Sequence, residues 1–212
     1  MDGPREVTGT SLATDGASAT DRVEGLLMGL AAGDRNGGPI RMAVRLAESL
    51  VGFGGFDLDD IAARYMDWWR DGAFDTGPTA AQVFALVESG LLFPAAALQV
   101  HQEADGLTAG CNPAHRSAPL AALPNLDPQQ VAEHARSEAA LTHRHPLAGD
   151  TAAAVVPICG ELVRGSAWDG AVRSARGGRW SETLAALAAQ DPGALRSGGF
   201  GPDALALSLI HI

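Results

Sequence analysis

A chain of 212 residues with 46% hydrophobic and 19% charged residues has a globular composition and is long enough for one domain with a substantial core. Its formal net charge of −10 at pH 7 excludes a general binder of nucleic-acid backbones, because that affinity comes largely from lysines and arginines. The two cysteines, Cys111 and Cys159, lack metal-type spacing, which favours a reduced cytoplasmic setting over disulfide bridges.

The first twenty residues are polar and rich in Gly, Ser, Thr and Asp, without the apolar stretch that a secretory signal needs. Residues 1–20 are therefore predicted to form a disordered tail. Elsewhere, no apolar run approaches the roughly 18 residues of a membrane span, so no membrane partner is expected.

The first predicted helix covers residues 21–32, where Asp21 offers a side-chain oxygen to the first free amides. Its apolar side chains follow the spacing i, i+3, i+4 and i+7, at Val23, Leu26, Leu27 and Leu30. A second helix over residues 40–51 ends in the glycine cluster 52–55, because glycine permits the left-handed geometry of a helix end. A third begins at Asp57 and presents a stripe that must be buried, formed by Ile61, Tyr65, Trp68 and Trp69.

Helical patterns also occupy most of the remaining chain, and several of them open with a proline, whose missing amide donor costs nothing in the first turn. These helices are predicted at residues 78–89, 92–102, 113–122, 128–141, 146–164, 168–175 and 181–189. Alternation with a period of two residues is scarce, so the predicted fold class is all-α. Abundant alanine lets helix axes approach closely, which favours a compact helical array.

The last six residues, 207–212, resemble the translation of a sequencing adapter and arrive just as a helix starts after Gly198 and Gly199. We therefore expect the gene to continue beyond residue 206, with residues 21–206 forming an incomplete domain. A natural apolar terminal helix is the alternative.

Two aspartates follow predicted helices in turns that suit a binding site. Asp34 stands at the corner where the first helix ends in a glycine-rich turn, and such turns let the backbone approach a ligand closely. Asp75 opens the stretch Asp-Thr-Gly-Pro-Thr, directly after the tryptophan-bearing helix. By default, the first aspartate belongs to a helix terminator and the second is a cap that stabilises the next helix by about 1 kcal/mol. A cap and a cleft carboxylate can coexist at one helix start.

Two further segments carry polar side chains suited to a nucleotide. Asn112 presents both a donor and an acceptor to a ribose or base edge, and Arg116 could meet a phosphate as a two-pronged donor. A turn asparagine and a surface arginine are the alternative interpretation. His143 and His145 follow at i and i+2, but no third ligand at useful spacing accompanies them, so a zinc site is not expected.

Together, and in this order, these stretches resemble the ADP-ribosylglycohydrolase family. Members share Gly-Leu-Ala-x-Gly-Asp-x-x-Gly, Asp-x-Gly-x-Thr, Gly-Asn-Gly-x-x-Met-Arg-x-x-Pro-Leu and Thr-His-x-x-Pro, which match here at residues 29–37, 75–79, 110–120 and 142–146. The third match departs from the pattern, because Pro113 stands where a glycine is usual and His115 where a methionine is usual. The turn at residues 197–200 looks like the one that leads into the last core helices of the family.

The resemblance implies a compact orthogonal multi-helix array of the ADP-ribosylglycohydrolase type, with its final helices missing. It implies a hydrolase acting on an ADP-ribosylated protein or a small ADP-ribosyl compound. Asp34 and Asp75 are then the candidate catalytic residues, and Asn112, Arg116 and His143 are the candidate substrate-binding residues.

The resemblance also implies magnesium, held between an early Thr-Asp-Asp and a late Asp-x-Asp-Thr. The early cluster would fall just before Met42, where residues 37–40 read Gly-Gly-Pro-Ile and offer no carboxylate. Hard divalent cations need several oxygen ligands, so this loss impairs the site, and the metal ligands of the chain stay unknown. The late cluster would lie beyond Ile212.

Three functional hypotheses therefore remain open at the level of the sequence. The first is an ADP-ribosylglycohydrolase-like hydrolase with an impaired or altered metal site. The second is a member of the same fold that binds ADP-ribose or a related nucleotide without cleaving it. In the third, the motifs of a structural helical domain serve only as caps and turns.

Overall fold

The computed structural model describes residues 16–35, 37–124, 127–191, 193 and 198–210. These residues form α-helices and one short 3₁₀ helix, with no strand among them, so the all-α prediction is confirmed. The helices are α1 (Ala19–Gly33), α2 (Gly38–Phe53), α3 (Leu58–Arg70), α4 (Pro78–Glu88), α5 (Phe93–Glu103), α6 (Asn112–Arg116), the 3₁₀ helix (Ala118–Ala122), α7 (Pro128–Ala139), α8 (Pro146–Val163), α9 (Trp168–Ser174), α10 (Ser181–Ala188) and α11 (Gly201–Ile210).

The two ends of the chain were predicted to be tails. Residues 1–15 of the predicted N-terminal tail lie outside the described residues, and α1 begins at Ala19, two residues earlier than expected. At the other end, α11 continues through residues 207–210, while residues 211–212 lie outside the described part.

Side-chain capping decides where α1 and α3 begin. The cap of α1 is Ser18, whose hydroxyl accepts the Asp21 amide at 3.2 Å, while the Asp21 carboxylate accepts the Ser18 amide at 2.7 Å. Asp21 is thus the reciprocal partner in a capping box and not the cap itself. The third helix was predicted to begin at Asp57, which in the structure caps α3 and accepts the Asp60 amide at 2.8 Å.

The helix predicted over residues 113–122 is interrupted in the structure. It divides at Ser117 into α6 and the 3₁₀ helix. Pro119 has no amide with which to continue the α-helical ladder, and the next amide, that of Leu120, donates to the Ser117 carbonyl at 3.0 Å in the tighter 3₁₀ pattern. This break separates the polar face of α6 from the apolar segment that follows.

Helix α8 is the centre of the array and packs against α1, α6, α7, α9, α10 and α11. Fully buried alanines on it, including Ala148, Ala152 and Ala153, allow neighbouring helices to approach closely. Within the described residues α8 is also the one helix long and apolar enough to cross a membrane, with a mean hydropathy of 1.3. Because 67% of it is buried inside the protein, its composition is that of a core helix.

Two main clusters of buried side chains lie on either side of α8. The larger joins α2, α3, α4 and α7, and it takes in three members of the predicted stripe on α3, namely Ile61, Tyr65 and Trp68. The fourth, Trp69, is only partly buried, and its indole donates to Glu88 at 3.0 Å. The second cluster joins α8 to α9, α10 and α11. The larger cluster lies beneath the turns that carry the candidate site.

Candidate functional site

Asp34 and Asp75 approach the same short piece of backbone at the start of α2. The Oδ2 atom of Asp34 accepts the Ile40 amide at 2.9 Å, and the Oδ2 atom of Asp75 accepts the Gly38 amide at 3.3 Å. A Cβ atom placed on Gly37 would lie 3.2 Å from Asp34 Oδ1 and within contact of Asp75 Oδ2. The start of α2 therefore brings together two carboxylates that are 41 positions apart in the chain.

The turn that carries Asp75 is held in an uncommon backbone conformation. Asp75 has a φ of +53°, in the left-handed region that aspartate tolerates better than most residues. Its side chain is exposed, and it is not the cap of α4, because Gly77 occupies that position without a side-chain hydrogen bond. A Cβ atom on Gly38 would fall 2.5 Å from the carbonyl carbon of Asp75. Because glycine has no Cβ atom, position 38 allows the backbone at the start of α2 to contact the backbone of Asp75.

Asn112 connects this turn to α6. Its Nδ2 atom donates to the Thr76 carbonyl at 3.0 Å, and its Oδ1 atom accepts from Arg116 Nη1 at 2.9 Å. Both ends of the amide are engaged, so the side chain is fixed beside Asp75. Three of the predicted site residues, Asp75, Asn112 and Arg116, therefore form one continuous set of contacts with Thr76.

Arg116 is fully buried, in contrast to the surface position that a direct phosphate contact requires. Its Nε atom donates to Glu138 Oε1 at 2.6 Å, and Tyr65 donates its hydroxyl proton to the same oxygen at 2.7 Å. Burial, followed by the charge of Glu138, raises the pKa of Tyr65 well above its usual value. In this structure the Arg116 guanidinium orients the Asn112 side chain by donating to its Oδ1 atom.

Glu138 is the supporting residue that the sequence analysis missed. Its Oε2 atom is buried and has no hydrogen-bond partner within the described part of the chain. A signal for it was present, because Val131, Ala135 and Glu138 follow helical spacing along the buried face of α7. A carboxylate on an apolar stripe predicts a buried cationic partner, since an unpaired buried charge is unfavourable.

His143 is buried apart from the two aspartates. Its Nδ1 atom lies 2.8 Å from Thr142 Oγ1, and its Nε2 atom lies 2.9 Å from where a Cβ on Gly110 would stand. It lines a small cleft of about 140 Å³ together with Arg136, Arg144, His145 and Trp180, and neither Asp75 nor Asn112 takes part in that cleft. The structure therefore places His143 in a cleft separate from Asp75 and Asn112.

His115 is a further titratable group, close enough to Asp34 for its charge to act on the ring. It lies on α6, three positions after Asn112, and is half-buried. Burial lowers the pKa of the His115 imidazole, and the negative charge of Asp34 opposes that shift.

The described residues do not form the metal site that the resemblance implies. They contain no group of three or more His, Cys, Asp or Glu side chains close enough to hold one ion. Asp34 and Asp75 each already accept a backbone amide, and the residues around them, Gly37 to Ile40, carry no side-chain oxygen. Magnesium is usually bound by one or two carboxylates with water completing its octahedron, so Asp34 and Asp75 would have to hold it without the Thr-Asp-Asp ligands that the resemblance implies.

The burial of His143 has a measurable consequence for stability at acid pH. Burial, and after it the charge of Arg116, lowers the pKa of His143 from 6.5 to about 3. Between these values the unfolded chain binds a proton that the folded chain does not, so we expect up to about 1.4 kcal/mol of unfolding free energy to be lost per pH unit. Urea unfolding at pH 7 and pH 5 measures the loss, and it should be smaller in His143→Asn. Equal losses in both proteins would contradict the assignment.

Comparison with known proteins agrees with this architecture. One solved chain, described as an ADP-ribosylglycohydrolase-related protein complex, superimposes with a TM-score of 0.70 at 23% sequence identity. The alignment covers 91% of this chain and 75% of that one, which shows a shared fold. The curated proteins give no significant match.

The family comparison covers most of the chain. Residues 39–212 match the ADP-ribosylglycohydrolase family, a range that begins just after Asp34 and includes the segments carrying Asp75, Asn112, Arg116 and His143. The helices, their order and the matched range agree, and the chain belongs to the ADP-ribosylglycohydrolase family.

Proposed function

We propose that the protein is a hydrolase that removes ADP-ribose from a modified protein side chain or from a small ADP-ribosyl compound. The observation that carries this proposal is the meeting of Asp34 and Asp75 at the start of α2, next to Asn112, in a chain of this family. Within the proposal, the two aspartates are the catalytic residues and Asn112 binds substrate. Arg116 acts through Asn112 as a positioning residue.

The proposed reaction is the hydrolysis of an N- or O-glycosidic bond. Water adds to the anomeric carbon of the ribose, the bond to the acceptor atom breaks, and the departing atom takes up a proton. One carboxylate of the site, with Asp75 the more exposed, accepts a proton from the attacking water. Negative charge close by also favours the cation-like sugar centre that forms as the bond breaks. The proton taken from water leaves the carboxylate and passes through solvent to the departing atom, so the step balances.

A direct assay tests the proposal. The full chain is incubated with ADP-ribosyl-arginine, with and without added magnesium, and released ADP-ribose is measured by chromatography. We expect slow release that depends weakly on magnesium, because the carboxylates that would hold the ion are absent from residues 37–40. Failure to release ADP-ribose from this compound and from ADP-ribosylated protein, under either condition, would contradict the hydrolase.

The donor set around the aspartates favours one alternative, a member of the fold that binds ADP-ribose without cleaving it. In that case, calorimetry detects ADP-ribose binding while the assay detects no release. If neither binding nor release is found, the motifs serve as caps and turns of a structural domain.

We further propose a cytoplasmic setting for this activity. Both cysteines are free, and burial raises the pKa of the Cys159 thiol to about 12, which keeps it in its unreactive form. A protein whose thiols stay reduced and unreactive is suited to the cytoplasm.

A further inference from the structure

A second polar cleft lies away from the two aspartates, between α7 and the segment that follows α9. We call it the arginine cleft. Its volume is about 260 Å³, and α7 contributes Gln129, Ala132 and Arg136 to its lining, while the opposite wall includes Ser174, Gly178 and Arg179. Arg136 also lines the small cleft beside His143, whereas Asp34, Asp75 and Asn112 do not line the arginine cleft.

Two arginines line the arginine cleft, and both pair with one buried carboxylate that lies outside the lining. Asp150, which is 1% exposed, accepts from Arg136 Nη2 at 3.0 Å and from Arg179 Nη1 at 3.4 Å through its Oδ1 atom. Its Oδ2 atom accepts the Trp180 amide at 2.9 Å. Both carboxylate oxygens are thus engaged, and within the described residues the two guanidiniums share this one carboxylate as their ion-pair partner.

The two guanidiniums also keep unused donors. Arg136 Nη2 donates a second bond to the Gly178 carbonyl, and Arg179 Nε donates to the Ala175 carbonyl. Among the residues that the structure describes, Arg136 Nε and Nη1 and Arg179 Nη2 donate to no protein acceptor. The side chain of Arg179 is 4% exposed, so its charge is held inside the wall of the cleft.

The contacts of the two arginines with Asp150 attach residues 174–180 to α7 and α8, but this structural role explains only one of the two arginines. One arginine paired with Asp150 would hold the segment without leaving excess charge, and burying a second guanidinium is unfavourable unless something offsets it. After burial itself, the charge of Arg136 is the main cause that lowers the pKa of Arg179. An anion between the two arginines would relieve that repulsion.

We propose that the arginine cleft binds the phosphate or diphosphate group of a small phosphorylated molecule, gripped between Arg136 and Arg179. Arginine offers phosphate oxygens paired N–H donors in a fixed fork, which suits the unused donors here. The volume is below that of pockets enclosing drug-sized ligands, so it accommodates the phosphate groups and not a whole nucleotide. The nearby Asp127 keeps its negative charge, but its Oδ1 atom accepts the amides of Gln129 and Gln130 at the start of α7, which holds that side chain at the helix end.

Substituting either arginine would remove a partner of the buried Asp150 and destabilise the fold. The test therefore substitutes residues of the first turn of α7, at the edge of the cleft. Gln129→Glu adds a carboxylate to the lining of the cleft. Gln130→Glu makes the same charge change one position later, outside the lining, and keeps an oxygen that can accept the Asp127 amide. Acidic residues at these positions also suit the first turn of α7. Circular dichroism checks that both variants are folded.

The binding of inorganic pyrophosphate to the full chain is measured by calorimetry at constant ionic strength. The same titration with inorganic phosphate gives the comparison. We expect saturable binding with one site per chain, and tighter binding of pyrophosphate than of phosphate. Gln129→Glu should weaken it by about tenfold or more, while Gln130→Glu should leave it within about twofold. Absence of saturable binding, or equal affinities in the two variants, would overturn the proposal. Neither outcome bears on hydrolysis at Asp75, which the ADP-ribose assay tests separately.

Discussion

The variant Asp75→Asn is expected to slow the release of ADP-ribose by about 10²–10⁴-fold, the range typical for loss of a positioned general base. The expectation follows from the exposure of Asp75 and from its place between Gly38 and the Asn112 amide. Asparagine tolerates the left-handed backbone conformation at this position and still accepts the Gly38 amide, so the fold should be retained.

Two measurements separate a catalytic loss from a structural one. The turnover rate of Asp75→Asn should fall while the dissociation constant for ADP-ribose changes only a few-fold, because the side chain retains its hydrogen-bonding shape. The matched control is Asp71→Asn, which makes the same charge change four positions earlier on an exposed residue whose capping contacts are made by its backbone amide. A variant at position 75 that keeps wild-type turnover would remove Asp75 from the mechanism.

Replacing Glu138 with alanine is expected to lower the free energy of unfolding by about 3–5 kcal/mol, the usual result of breaking a fully buried ion pair. Arg116 and Glu138 are both 0% exposed in their side chains, so alanine leaves the guanidinium charged, desolvated and without its carboxylate. Tyr65 loses the acceptor of its hydroxyl at the same time. Chemical denaturation of the wild type and the variant measures the difference.

A second substitution shows whether the effect comes from the unpaired charge. The double variant Arg116→Met with Glu138→Leu removes both charges and should recover most of the lost stability, because apolar residues of similar size can replace a buried ion pair. The double variant should nevertheless bind ADP-ribose more weakly, since Asn112 loses the guanidinium that fixes its Oδ1 atom. A loss below about 1 kcal/mol in Glu138→Ala would contradict a tightly paired buried charge.

The helices of this protein are encoded locally, and the sequence predicts them well. The spacing of Val23, Leu26 and Leu27 and the proline starts at Pro78 and Pro128 depend on residues within one or two turns of each other. The two predictions about helices that were wrong also concern local features. Ser18 replaced Asp21 as the cap of α1, and the helix over residues 113–122 divided, because capping geometry and Pro119 outweighed periodicity.

The segments of the candidate site could be located from the sequence, but their chemistry could not. The order of the motifs marked Asp75, Asn112, Arg116 and His143 as site residues. In the structure Asp75 is an exposed carboxylate and Asn112 a fixed amide, whereas Arg116 belongs to a buried ion pair and His143 to a separate cleft. The apolar stripe of α7 marks Glu138 as buried, but which arginine pairs with it depends on which helices pack together, and no local pattern encodes that.

The sequence by itself determined an all-α chain, the starts of most of its helices to within two residues, and the absence of carboxylates at residues 37–40. The tertiary structure alone decided that Asp34 and Asp75 converge on the start of α2, that Glu138 lies beneath Arg116, and that Arg136 and Arg179 face one cleft. The physical reason is the separation in sequence of the residues that interact. Backbone hydrogen bonds and caps join residues three or four positions apart, whereas these charged residues meet only because separate helices pack around α8.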